Sequence, residues 1–119
     1  MTGPRGIHHL ALRVADIERA AAFYSGLLGL AEIRRNPAGG ELRSIWLRAG
    51  DAVIMLERTL AGAGEAVGSG HLLAFSVDDL ADWEAKLRQA GASIEGRTEH
   101  TLYLRDPDGH RVGLSDYPV

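Results

Sequence analysis

Leu10-Ala11-Leu12-Arg13-Val14-Ala15-Asp16-Ile17 and Leu73-Ala74-Phe75-Ser76-Val77-Asp78-Asp79-Leu80 carry one pattern, 63 positions apart. Leucine, alanine, valine and aspartate coincide, and Leu12/Phe75 and Ile17/Leu80 are like for like. Each stretch alternates at period two, as a strand with one buried face does, and then reaches an aspartate suited to cap a helix. After Asp16, the residues Ile17, Ala20, Ala21, Tyr24, Leu27 and Leu28 recur at helical spacing, and Gly29 suits the terminating position. After Asp79, the stripe is Leu80, Trp83, Leu87 and Ala90, and Gly91 ends it. The likeness resumes later at an offset of 58, where Val53-Ile54-Met55-Leu56 falls on Arg111-Val112-Gly113-Leu114. Each half therefore reads as one strand, one helix and about three strands. The fold class is α+β, two βαβββ modules within a single domain 1–119. Module one spans about 6–57, a Gly-rich linker about 58–70, and module two about 71–116.

Composition bounds what such a chain does. It has 119 residues, 45% hydrophobic and 24% charged, enough to bury a core and too apolar for disorder. The net charge of −3 offers no basic footprint for nucleic acid or for an anionic membrane surface. There are no cysteines, so disulfides, thiolate metal sites and cysteine nucleophiles are excluded. The longest apolar runs, Ala20–Tyr24 and Ala52–Leu56, are far short of the roughly 20 residues of a membrane span. The opening Met-Thr-Gly-Pro-Arg-Gly lacks the apolar core of a secretory signal, so the expected location is cytoplasmic.

Strands are expected at His9–Val14, Leu30–Arg35, Leu42–Ala49 and Ala52–Glu57, and again at Ala92–Arg97, Thr101–Arg105 and Arg111–Ser115. Gly50-Asp51 makes a tight hairpin turn and Asp106-Pro107-Asp108-Gly109 a longer one.

The run Gly6-Ile7-His8-His9-Leu10-Ala11-Leu12-Arg13-Val14-Ala15-Asp16, followed by Phe23-Tyr24 and Leu27-Leu28-Gly29-Leu30, resembles the opening of the vicinal oxygen chelate superfamily. That superfamily contains glyoxalase I, extradiol dioxygenases, fosfomycin-resistance enzymes and bleomycin-resistance proteins. His71-Leu72-Leu73-Ala74-Phe75-Ser76-Val77-Asp78-Asp79 and Asp106-Pro107-Asp108-Gly109 resemble its second module. The resemblance implies that the two modules form a curled eight-strand cup, with helices on the outer face, a small organic ligand inside and a homodimer as the working unit. It does not fix the reaction, because one fold hosts many chemistries.

Strand parity says which side chains share the ligand's face. Leu10, Leu12 and Val14 make the apolar side of the first strand, so His9, Ala11 and Arg13 face the cup. By the same alternation Val53, Met55 and Glu57 face it, as do Leu72, Ala74 and Ser76, and Arg111, Gly113 and Ser115. A two-residue Gly50-Asp51 loop sets Trp46 opposite Met55 and Ser44 opposite Glu57. Parity leaves Tyr103 unassigned.

In metal-bearing relatives the resemblance implies a ligand set of His, Glu, His and Glu, which falls here on His9, Met55, Leu72 and Gly113. Only His9 suits a hard or borderline ion such as Zn, Ni, Mn or Fe. No cofactor is therefore expected. The fallback is a divalent metal in a displaced site made by His9, Glu57 and a His71 rotated inward by a β-bulge.

The candidate site residues are His9, Arg13, Trp46, Met55, Glu57, Leu72 and Gly113. His9 is the candidate general base or ligand contact. Arg13 stands where the resemblance implies an arginine for a substrate carboxylate, or else pairs with Glu57. Trp46 and Met55 give an apolar floor, and Arg48 and Arg111 would add positive field. His8 is expected to turn the other way and be structural, and Trp83 to be core. His100 and His110 fall at strand edges. Gly62-x-Gly64-x-x-x-Gly68 lacks dinucleotide-loop spacing. Three readings stay open: a metal-free small-molecule binder, a metal-dependent lyase, isomerase or dioxygenase at a displaced site, and a metal-free enzyme with His9 as base.

Overall fold

Both expected caps form, and they form alike. Asp16 Oδ1 accepts from Arg19 N at 3.1 Å, and Asp79 Oδ1 accepts from Asp82 N at 3.0 Å. The structure is a computed structural model and describes residues 3–60 and 70–118. It divides into two compact units, Met1–Ala63 and Gly64–Val119. The Gly62–Gly68 stretch lies outside the described residues.

The first unit runs β1 (His9–Arg13), α1 (Ile17–Ala21), β2 (Ala31–Ala38), β3 (Glu41–Ala49) and β4 (Ala52–Glu57), and its sheet has the order β1-β4-β3-β2. The second runs β5 (Leu73–Ser76), α2 (Leu80–Gln89), β6 (Gly96–Arg97), β7 (Thr101–Arg105) and β8 (Arg111–Ser115), in the order β5-β8-β7-β6. In each, the first and last strands pair in parallel and the rest antiparallel. This is the expected α+β pair of βαβββ modules.

The two sheets repeat residue by residue. Ala11 pairs with Met55 as Ala74 pairs with Gly113, and Leu12 with Leu56 as Phe75 with Leu114. Trp46 faces Met55 as Tyr103 faces Gly113. The third strands are thus related by 57 positions while the fourth are related by 58. The difference sits in the hairpins. Gly50 (φ 58°) and Asp51 close the first in two residues, with glycine in the left-handed position that this turn requires. The second is one residue longer, closed by Asp106 N donating to His110 O at 3.0 Å, with Gly109 at φ 86°. Asp106 is buried there, its Oδ1 accepting from the backbone N of Asp108 and His110 at 2.9 and 2.8 Å.

Burial follows the expected alternation. In the first unit α1 packs on β3 and β4. Leu12, Val14, Ile45, Leu47, Ile54 and Leu56 are buried with Ile17, Ala20, Ala21, Tyr24 and Leu28. In the second α2 packs on β7, and Leu102, Leu104, Val112 and Leu114 are buried with Leu80 and Leu87. Each buried Leu, Ile or Val among them contributes about 1.5–3 kcal/mol by leaving water.

Four local expectations need correction. The first helix changes pitch: Ala22–Leu27 is π-helical, with Leu28 N bonded to Phe23 O at 3.0 Å, before Gly29 (φ 82°) ends it. The strand expected over Ala92–Arg97 shrinks to Gly96–Arg97, because Ala92 N is spent closing α2 on Leu87 O at 2.9 Å. Leu10, expected in the core, is 39% exposed, whereas Leu12 and Val14 further along the same face are buried, so the core begins at Leu12. Trp83, also expected in the core, is half-buried, with Lys86 Nζ 4.3 Å from its ring centroid. Among the described residues, no helix is long and apolar enough to cross a membrane.

Candidate functional site

The sheet face turned away from α1 is a grid, because strand register aligns its residues in rows. One row is His9, Val53, Arg48 and Ala31. The next is Ala11, Met55, Trp46 and Arg34, and the third is Arg13, Glu57, Ser44 and Asn36. Rows are about 6.7 Å apart and neighbouring strands about 4.8 Å. Trp46 opposite Met55 and Ser44 opposite Glu57 are the pairs that the two-residue turn predicts.

The middle row is aromatic and soft. Trp46 and Met55 are half-buried, and the Arg34 guanidinium lies 5.2 Å from the Trp46 ring centroid, a cation–π arrangement. The Trp46 Nε1 donor is buried without a hydrogen-bond partner. In the third row Glu57 is buried and receives Arg43 Nε at 3.3 Å, while Asn36 Nδ2 donates to Ser44 Oγ at 3.0 Å. Arg13 is exposed and stands in register with Glu57. In the first row His9 is exposed, and so is His8. His8 does not turn away as a structural residue: its Nδ1 is 3.0 Å from His9 Nδ1, and the rings meet edge to face.

The second unit carries the equivalent grid. Its middle row is Ala74, Gly113, Tyr103 and Gly96. Tyr103, unassigned by parity alone, lies opposite Gly113 and so shares its face. Arg111 sits 4.3 Å from the Tyr103 ring centroid. Its Nε is buried without a hydrogen bond and lies 3.4 Å from Glu95 Oε1. Glu95 also accepts from Arg105 Nε at 2.7 Å. That bond, then the charges of Arg105 and Arg111, hold the Glu95 carboxyl below the usual carboxylate range. The third row is hydroxyl-bearing: Ser76 pairs with Ser115, and Ser115 with Thr101, whose Oγ1 donates to Ser115 Oγ at 3.0 Å. His100 binds Asp116 at 2.8 Å.

Of the four positions that the family resemblance makes metal ligands, three lack the chemistry for a hard or borderline ion. A Cβ built at Gly113 would meet Thr101 Cγ2 at 3.4 Å, Ala74 Cβ at 3.5 Å and Leu72 Cδ1 at 3.6 Å, ordinary contacts. Gly113 also has no positive φ. The backbone thus accepts a side chain there, and glycine withholds one. Leu72 brings only a hydrocarbon to that face, and Met55 a thioether that suits soft ions. The displaced alternative meets a register problem. His9 pairs with Val53 while Glu57 pairs with Arg13, which separates them by four residues, about 13 Å along the strands. To share one ion with bonds of about 2 Å, both side chains would have to lean toward each other along the strands at nearly full reach. His71 is exposed and lies outside β5. Among the described residues, no three His, Asp or Glu side chains are grouped to hold a metal ion.

Comparison with known proteins places this arrangement. The chain is 30% identical over 122 residues to a probable lactoylglutathione lyase of Vibrio cholerae, covering 91% of this chain and 88% of that protein. It is 31% identical over 124 residues to the putative ring-cleaving dioxygenase MhqA of Bacillus subtilis, covering 93% of this chain but 39% of that protein. A solved structure from the mobile metagenome of V. Pseudocholerae superposes with a TM-score of 0.78 at 26% identity, covering 100% of this chain and 99% of that one. Residues 6–114 match the family model of the Glyoxalase/Bleomycin resistance protein/Dioxygenase superfamily, and with the repeated βαβββ registers above, the chain belongs to that superfamily.

Proposed function

We propose that the protein binds a small organic molecule on the helix-free faces of its sheets and does so without a resident metal. One observation carries this reading: Met55, paired across the strands with Trp46, puts a thioether beside an indole at the position where the family resemblance implies a carboxylate ligand. Gly113 and Leu72 support it, since neither supplies a donor atom to the equivalent place in the second unit. Aromatic and thioether side chains suit flat or adaptable guests. The reading includes a homodimer, testable by light scattering.

The experiment is native mass spectrometry of untagged protein, with titration of the Trp46 fluorescence by flat organic compounds in a Trp83→Phe background. Retained organic mass or saturable quenching supports the reading. Steady turnover of a compound that quenches, in metal-free protein, would replace it with the second reading.

That second reading is a metal-free enzyme with His9 as general base. It is favoured by the 3.0 Å approach of the His8 and His9 Nδ1 atoms, which sets one ring as donor and the other as acceptor. A ring fixed in one tautomer presents a defined proton donor or acceptor at its other nitrogen. The names of the relatives, a lyase and a dioxygenase, favour an enzyme over a binder and say nothing of His9. Loss of turnover of an enolisable carboxylate in His9→Ala would establish it.

A further inference from the structure

The donors and acceptors of the first unit's open face do not balance. Its carboxylate, Glu57, is already engaged by Arg43, and the Ser44 hydroxyl by Asn36. The donors flanking the middle row are left over. Among the described residues, Arg34 and Arg48 have no carboxylate within ion-pairing distance. Arg34 packs over the Trp46 ring, and Arg48 stands two residues along β3, on the same face. The Trp46 Nε1–H itself is buried and has no hydrogen-bond partner among the described residues. A buried donor without an acceptor is costly, and natural proteins keep few of them.

The second unit repeats the stacking with its charge answered. Arg111 lies over Tyr103, the residue equivalent to Trp46, and its Nε is ion-paired with Glu95 at 3.4 Å. Arg34 over Trp46 has no such carboxylate among the described residues. A guanidinium lying over a ring presents its N–H edge outward, which suits a planar, two-oxygen anion. The ring and the cation together select a guest that is flat and acceptor-bearing.

We infer that the ligand of this site is an aromatic carboxylate or a comparable flat oxyanion, its ring against Trp46 and its oxygens on Arg34 and Arg48. This rests on the proposed binding function and specifies its ligand class. Arg34 and Arg48 are the residues that set the charge preference.

Three probes of one shape separate the outcomes: 2-naphthoate, the neutral 2-naphthamide and the cationic 2-naphthylmethylammonium. They are titrated against the Trp83→Phe protein by calorimetry and by Trp46 fluorescence. The expected order is naphthoate tighter than naphthamide by roughly 10-fold, with the cation weakest. Arg34→Gln and Arg48→Gln each weaken naphthoate by roughly 5–10-fold and leave naphthamide within about twofold. Added salt weakens naphthoate selectively. Equal affinity for naphthoate and naphthamide, or preference for the cation, overturns the ligand class and leaves the binding function standing. Failure of all three probes to bind folded protein overturns both.

Discussion

Trp46 stands directly across the sheet from Met55, and Tyr103 repeats that relation to Gly113 in the second module. The two pairs occupy one place in a duplicated register, yet their chemistry differs. A large aromatic and a thioether fill the first, while the second sets a phenol beside a position with no side chain. Neither Met55 nor Gly113 suits a hard cation, since a thioether is a poor partner for one and glycine offers no side-chain donor.

The repeat also predicts equal energetic roles. Ile45 and Leu102 are both fully buried and occupy equivalent places, opposite Leu56 and Leu114. Ile45→Ala and Leu102→Ala should each cost about 2–5 kcal/mol, the range for large-to-small core changes. Urea denaturation checks this. A change at either site below about 1 kcal/mol would contradict the burial assignment.

Glu95 holds together a pair that would otherwise repel. Arg105 and Arg111 are direct cross-strand partners, and Glu95 meets both, at 2.7 and 3.4 Å. Glu84 similarly joins Arg97 and Arg88, at 2.9 and 3.0 Å, and they hold its carboxyl below the usual range. For carboxyls so depressed, the stabilising contribution is present above the unfolded pKa of about 4.3 and is lost as pH falls through the folded value. The Glu84→Gln/Glu95→Gln protein should therefore have a lower urea midpoint than wild type at pH 7, and the gap should close on acidification. A gap that is constant with pH would show that charge is not the cause.

Much of this was legible in the residues. Strict alternation in the first, fourth, fifth and eighth strands assigned both faces, because a one-residue slip would move every leucine and valine out of the core. The two-residue Gly50-Asp51 turn then fixed the Trp46–Met55 pair. What escaped depended on a single residue of loop or pitch. The longer second hairpin moved Tyr103 into register with Gly113, a relation that the offset of 58 alone hides and that counting its turn residues would have found. The Gly39-Gly40 turn, with both φ values positive at 62° and 81°, carries β2 and β3 beyond their expected ends. The π-helical segment breaks the 3.6 spacing that the apolar positions obey. The meeting of His8 with His9 was missed because parity applies only inside a strand, and the strand begins at His9.

Elemental analysis of untagged, freshly purified protein asks whether the chain carries a resident ion at all. Substoichiometric Zn, Ni, Mn and Fe, unchanged by His9→Ala, is expected in protein that still binds a flat organic guest. About one such ion per chain, removed by His9→Ala, would contradict the metal-free reading.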